Sequence, residues 1–255
     1  MKKLLILAFL LFASPCWASI AYVTGSAAGN SQASGTATLA VTIGAALAAG
    51  DTVFCSVMDT GGQNESDTIT DSDSNTYHKD KLQNLATDSD TFNLFHADNI
   101  SVSTTTTPAI TAHGAGINSI LCAGFSGLAT SSLDKTASQN TTGTSQTSTN
   151  TATLSQANEL VIGALGIAFT AGGTNTVTIG SGFTTLVIYG RTASCSSGVA
   201  CTTHVAASLE YQIVSSTTAV AATWTDSASE EYAAIVGTYE QAAGASSPTM
   251  PPVIL

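Results

Sequence analysis

The sequence predicts an all-β fold, an antiparallel sandwich assembled from two similar half-units in pseudo-duplication. Three observations carry this. Nearly every ordered-looking run is short, rich in Val, Ile, Leu, Thr or aromatic residues, and bounded by Gly, Asn, Asp, Ser or Thr. Helical periodicity is nearly absent; only Ser155 to Glu159 suggests a turn of helix. Segments also echo one another about 110 residues apart, and a repeat bears directly on architecture. Thr36-Ala37-Thr38-Leu39 recurs as Thr151-Ala152-Thr153-Leu154, and Leu94-Phe95-His96 as Leu209-Glu210-Tyr211. Val53 to Val57 matches Leu160 to Ala164, which sets Cys55 against Ile162; Asn75-Thr76-Tyr77 matches Ser181-Gly182-Phe183, and Ala123-Gly124-Phe125 matches Gly237-Thr238-Tyr239.

In chain order the expected strands of the first half are Ile20 to Thr24, Ala37 to Ile43, Asp51 to Met58, Thr68 to Thr70, Thr76 to Lys79, Thr91 to Ala97, Pro108 to Ala112 and Asn118 to Phe125. Those of the second are Thr149 to Leu154, Glu159 to Phe169, Thr174 to Ile179, Thr184 to Tyr189, Ala206 to Val214, Ala219 to Thr225 and Ala233 to Glu240. Many short strands with turn residues between them mean a sandwich or a barrel. The half-units, about 19–128 and 149–243, are short and poor in aromatics, so a single domain over 19–243 is expected. Between them 129–148, rich in Ser, Thr, Gln and Asn, reads as a linker or a strand-poor surface crossover. Residues 244–255 form a tail of small residues and prolines ending in Val253-Ile254-Leu255. It is read as a frayed terminus or as a peptide that adds to a neighbouring subunit.

Residues 1–18 read as a signal peptide: Lys2 and Lys3, an apolar stretch from Leu4 to Phe12, and Cys16-Trp17-Ala18 as the cleavage site. The apolar stretch is shorter than the roughly 20 residues that span a bilayer. Pro15 argues against lipidation of Cys16. Cleavage after Ala18 would leave a secreted chain, extracellular or periplasmic, and no membrane insertion is expected. The full chain has a net charge of −11, which loss of Lys2 and Lys3 takes to −13. Nucleic acid is not an expected partner, since it requires a basic stripe.

Four cysteines follow Ala18, and an even number in an exported chain points to disulfides. Cys195 and Cys201 bracket a short loop that a bridge would staple. Cys55 and Cys122 lie inside apolar strands, which fits neighbouring strands joined by sulfur; the alternative is two separate buried thiols.

The order Asp71-Ser72-Asp73-Ser74-Asn75-Thr76-Tyr77, Leu94 to Ile100, Ala123 to Gly127, Ala157 to Ala164 and Gly180 to Phe183, closed by the Trp224 strand, resembles a poorly characterised group of bacterial and phage-associated secreted β-sandwich modules. The resemblance spans nearly the whole mature chain and implies a jelly-roll-like fold and an extracellular setting. It carries over no catalytic residues. The cysteines and the acidic loop depart from the group.

Charge divides the halves. Nine of the 17 acidic residues fall between Asp59 and Asp98, including Glu65, Asp67, Asp88 and Asp90, while Leu165 to His204 has none and carries Arg191. Asp71, Asp73 and Asn75 alternate as in a calcium loop and are the candidate metal ligands, but the sixth and twelfth positions are Thr76 and Leu82 rather than Gly and Glu. A hairpin turn is the competing and preferred reading. His78, His96, His113 and His204 lack metal-ligand spacing, and the match of His96 with Tyr211 marks a strand position. No Gly-x-Ser-x-Gly elbow, His-Glu-x-x-His or phosphate loop occurs. Glu230-Glu231 reads as part of a turn, and Asp98 with Glu210 as separated carboxylates of the kind a glycosidase recruits. Trp224, Tyr189, Tyr211 and Tyr232 are the aromatics available for stacking on sugar, with core packing preferred. The expected function is therefore a non-enzymatic secreted module for adhesion, surface structure or self-assembly through edge strands or the tail. A carbohydrate-binding module, calcium-assisted or not, is the alternative, and a glycoside hydrolase stands behind it.

Overall fold

The computed structural model describes residues 19–63, 66–86, 89–168, 175–190, 194–195 and 205–243. They form strands and no helix. The first sheet contains β1 (Ala21–Tyr22), β2 (Ala28–Thr42), β3 (Thr52–Asp59), β4 (Thr68–Asp71), β5 (His78–Asn84), β6 (Thr91–Ala97) and β7 (Ala109–Ser126). The second contains β8 (Leu128–Thr147), β9 (Asn158–Ala168), β10 (Val177–Ile179), β11 (Thr184–Gly190), β12 (Ser194–Cys195), β13 (Val205–Ser215) and β14 (Thr223–Gln241). All pairings are antiparallel.

The two sheets share part of their strand order, with β1 on β7 and β12 on β11 unmatched. In one, β2 and β4 flank β7, followed by β3, β6 and β5; in the other, β8 and β10 flank β14, followed by β9, β13 and β11. Each sheet is thus drawn from consecutive strands of one half of the chain. The molecule is a β-sandwich of two such sheets, and the finer jelly-roll label rests on the resemblance alone.

Register refines the echoes. Cys55 opposes Cys122 and Phe95, while Gly163 opposes Val236 and Glu210. Cys55 therefore corresponds to Gly163, not to Ile162 as the sequence match suggested. A one-residue slip moves a side chain to the other face, and Ile162 points into the central core while Cys55 points away from it. Thr36-Ala37-Thr38-Leu39 lies in β2, whereas Thr151 to Leu154 follows β8 without being strand. Leu154 matches Leu47 instead: their N–H groups donate to the carbonyls of Thr217 and Thr106.

Three cores result. The central one, between the sheets, takes Phe54, Phe92, Leu94, Leu121 and Phe125 from one half and Leu160, Ile162, Leu209, Ile235 and Tyr239 from the other. Each sheet also has an outer core, around Cys55, Phe95, Ile110 and Cys122 in the first and around Leu165, Trp224, Tyr232 and Val236 in the second. Both faces of β3 and β9 are consequently buried. The outer cores exist because the long strands bend. One end of β7 pairs with β3 and the other with β4, with a register break between Met58 and Asp59 at the bend. Backbones cross so closely there that a Cβ on Gly116 would stand 2.7 Å from the Gly61 nitrogen.

Residues 129–148, expected to be a strand-poor crossover, are instead almost entirely β8, the longest strand at 20 residues. It joins β7 through Gly127 alone, at φ +82. Pro108 to Ala112 with Asn118 to Phe125 form the single β7, and Ala219 to Thr225 with Ala233 to Glu240 mostly form the single β14. Glu230 and Glu231 lie within β14, not in a turn.

Candidate functional site

The largest described cluster of titratable groups forms where β5, β6, β8 and β14 meet. A register shift between Lys79 and Lys81 leaves Asp80 as the extra residue of a bulge on β5, and a bulge re-aims a side chain. Asp80 turns inward to His96 of β6, whose Nδ1 donates to Asp80 Oδ1 at 2.5 Å and whose Nε2 donates to Asp98 Oδ2 at 3.1 Å. The other Asp80 oxygen accepts from the Tyr239 hydroxyl at 2.6 Å. Asp98 accepts from the Ser132 N–H and hydroxyl at 3.0 and 2.7 Å, and from Thr52 Oγ1 at 3.2 Å. Phe54 and Tyr239 wall the imidazole, with His78 beyond it.

Burial alone would lower the His96 pKa, but hydrogen bonds and charge from Asp80 and Asp98 outweigh it and push it up to about 9. Burial raises Asp80 against the pull of the same imidazolium. Asp98, although desolvated, is held below the usual carboxylate range by His96 and Ser132. His96 is thus an imidazolium at neutral pH with both ring nitrogens donating. While both bonds stand it has no lone pair for a metal or a substrate proton. Through it, Asp80–Tyr239 and Asp98–Ser132 tie the first sheet to the second.

Above this network opens a cleft of about 530 Å³, lined by Asn75, His78, His96, Asp98, Thr130 and Ser131 among others. Its wall is hydroxyl, amide and imidazole. Asp98 contributes to it; Glu210 does not, so the two carboxylates proposed as a separated pair do not share this cleft.

Asp71 and Asp73 serve the adjacent loop. Asp71 accepts from the N–H groups of Asp73 and Asn75, from the Asn75 amide and from Tyr77. Asp73 accepts from Ser103 and from the hydroxyl and N–H of Thr104, which together hold its carboxyl low against burial. The Asn75 amide also bridges to Ser101. These are the bonds of a turn, and among the described residues no three His, Cys, Asp or Glu side chains converge as a metal would require. Of the other histidines, His113 meets Thr70, and His204 lies outside the described residues, as do Glu65, Asp88, Arg191 and the C-terminal tail.

Cys55 and Cys122, directly opposite on β3 and β7, form a disulfide. The Cys195–Cys201 pairing falls outside the description, since Cys201 is not among the described residues. Trp224 is buried and its indole donates to Ser208; Tyr232 is buried, and Tyr211 packs half-buried against the central core. Glu231 accepts from the Ala86 N–H and the Asn140 amide.

Two buried carboxyl sites lie apart from the cleft. Asp59 accepts from the N–H groups of Gly61, Ala115 and Gly116 at the β7 bend. Burial, then the neighbouring Asp59, raises Asp67 to about 7. Glu210 is fully buried with neither carboxyl oxygen hydrogen-bonded, and burial raises it to about 9. It fills the space over Gly163, where an added Cβ would stand 2.8 Å from Glu210 Oε1.

Fold and site together define a class: a disulfide-bridged two-sheet β-sandwich whose buried ionisable groups are mostly committed to holding its sheets and corners. Set against known proteins, the chain matches no family model, no curated protein and no solved structure.

Proposed function

We propose that this protein is a non-enzymatic, exported structural module that works by adhesion or self-assembly. The observation that carries the reading is the open edge of β8, 20 residues long and bonded to β14 on one side only among the described residues. Such an edge is a template for another strand. The signal-like start and the Cys55–Cys122 bridge support export. The commitment of His96, Asp80 and Asp98 to one another supports a structural role for the network beneath the cleft.

A carbohydrate-binding reading is favoured by one feature, the polar cleft beside His78, whose hydroxyl and amide lining suits a hydroxyl-rich ligand. Against it stands the burial of Trp224 and Tyr232, two of the four aromatics available for stacking, with Tyr189 and Tyr211 partly buried against the central core. Sedimentation velocity of residues 19–255, in calcium and then in chelator, tests the main reading. Assemblies indifferent to calcium are expected. A monomer in both conditions would discard self-assembly and leave the cleft, probed with a glycan array, as the next candidate.

A further inference from the structure

The described edges of the sandwich are not equally open. Proteins guard edge strands with charge, bulges and irregularity. On the first sheet, β5 carries Lys79 and Lys81 and is bulged between them. β2 breaks register twice against β7, between Ser31 and Thr36 and between Thr36 and Thr38. At the other end of the second sheet, β11 shifts register twice and is followed by β12. β8 differs. From Lys135 to Gly143 it pairs with β14 without a register break, and it contains no proline. From Thr136 to Thr147 it has no charged side chain. Its one lysine does not project as a guard: Lys135 Nζ bonds Asp134 and Ser155 Oγ of its own chain.

We infer that β8 is a homodimerisation edge, pairing antiparallel with β8 of a second copy about a two-fold axis near Gln139, the centre of the unbroken stretch. This deepens the self-assembly reading and rests on it. Edge addition needs a second edge that is equally open and regular, and within this chain β8 itself is the one that qualifies among the described edges. Like pairing with like closes the interface, because a two-fold contact uses the same patch on both partners. A filament would need a second, different edge; among the described strands β2, β5 and β11 are irregular and β1, β4, β10 and β12 are only 2, 4, 3 and 2 residues long. The nine paired residues give a ladder roughly 30 Å long. In a chain of net charge −11 the contact falls, Lys135 apart, on an uncharged stretch, so most of the repulsion between copies is borne elsewhere. Gln139 lies on the face away from Ser138, whose hydroxyl donates to Gln83 of the first sheet, so substitution at 139 spares the contact between sheets.

The test uses residues 19–255 in sedimentation equilibrium, with Gln139→Lys and Gln139→Cys as variants and thermal unfolding as the check on folding. A discrete dimer is expected. Gln139→Lys sets two ammonium groups opposite each other at the axis and should weaken the dimer about tenfold or more. Gln139→Cys should give a covalent dimer on mild oxidation, since directly opposed residues are within disulfide reach, whereas Thr130→Cys should not. A dimer indifferent to Gln139→Lys and not trapped by Gln139→Cys would overturn the β8 interface while leaving self-assembly intact. Open-ended polymers would overturn closure in the same way. A monomer at all concentrations would overturn both.

Discussion

Glu210 and Phe95 occupy equivalent register positions in the two halves, opposite Gly163 and Cys55 respectively. The first half fills its outer core with an aromatic ring beside a disulfide; the second places a carboxyl over a glycine. An unpartnered buried carboxyl is tolerated by keeping its proton. Its folded pKa of about 9 lies above the ordinary 4.5 of a glutamate, so its contribution to stability is fully present below about pH 4.5 and lost as pH rises through 9. His96, raised from 6.5 to about 9, acts in the same direction over a narrower window: its contribution is intact below about 6.5 and lost as pH rises through 9. Urea unfolding from pH 5 to pH 9.5 separates them. Glu210→Gln should stabilise the fold by about 3 kcal/mol at pH 8 and have little effect at pH 5. His96→Gln should cost about 3 kcal/mol at pH 6, with a loss that shrinks above pH 9. A Glu210→Gln variant with the wild-type pH slope would show that this carboxyl ionises freely in the fold. The sequence names Glu210 as a separated carboxylate and His96 as a strand position, but not their surroundings: Asp80 and Asp98 lie 16 and 2 residues from His96 and converge only through a bulge.

At the scale of the strand, legibility followed burial. β6, β9 and β13 were readable because apolar runs bounded by turn residues persist along them. β8 was not, because most of its side chains are half-exposed and polar, and what holds it is backbone pairing to β14. β7 and β14 each read as two strands because their bends carry Gly114-Ala115-Gly116 and Asp226 to Ser229, which look like turns. The repeat offset of β3 slipped by one because every residue of β3 is buried, leaving no in-out alternation to fix the register. The Cys55–Cys122 pairing was legible because two apolar strands each held one cysteine. That bridge closes 67 residues of sequence between strands already paired. By loop-closure entropy its reduction should cost about 4 kcal/mol. The expected result is a clear drop in melting temperature with the far-ultraviolet spectrum retained; loss of the spectrum on reduction would mean that β3 and β7 do not pair without sulfur.

For the molecule as a whole, the two halves depend on each other through the central core. Phe54, Phe92, Leu121 and Phe125 on one sheet are covered by Leu160, Leu209, Ile235 and Tyr239 on the other. Separated, each sheet would expose a continuous apolar face, far more than a soluble monomer tolerates. Residues 19–127 expressed alone should therefore bind a hydrophobic dye and unfold without a sharp transition, and should regain cooperativity when mixed with residues 128–243. A sharp melt for the isolated first half would show that its outer core suffices. The all-β sandwich was legible from short strands bounded by turn residues, while the cross-ties at His96 emerged only with the fold.

The single-glycine passage at Gly127 has a temporal side. Because every strand of the first sheet ends by Ser126, a chain that emerges amino terminus first presents its first outer core and both bridging cysteines before any strand of the second sheet. An oxidant acting during delivery meets Cys55 and Cys122 as the nearest candidates for each other, with Cys195 and Cys201 still to come. For a chain exported in that order, emergence itself would favour the Cys55–Cys122 bridge over pairings with Cys195 or Cys201.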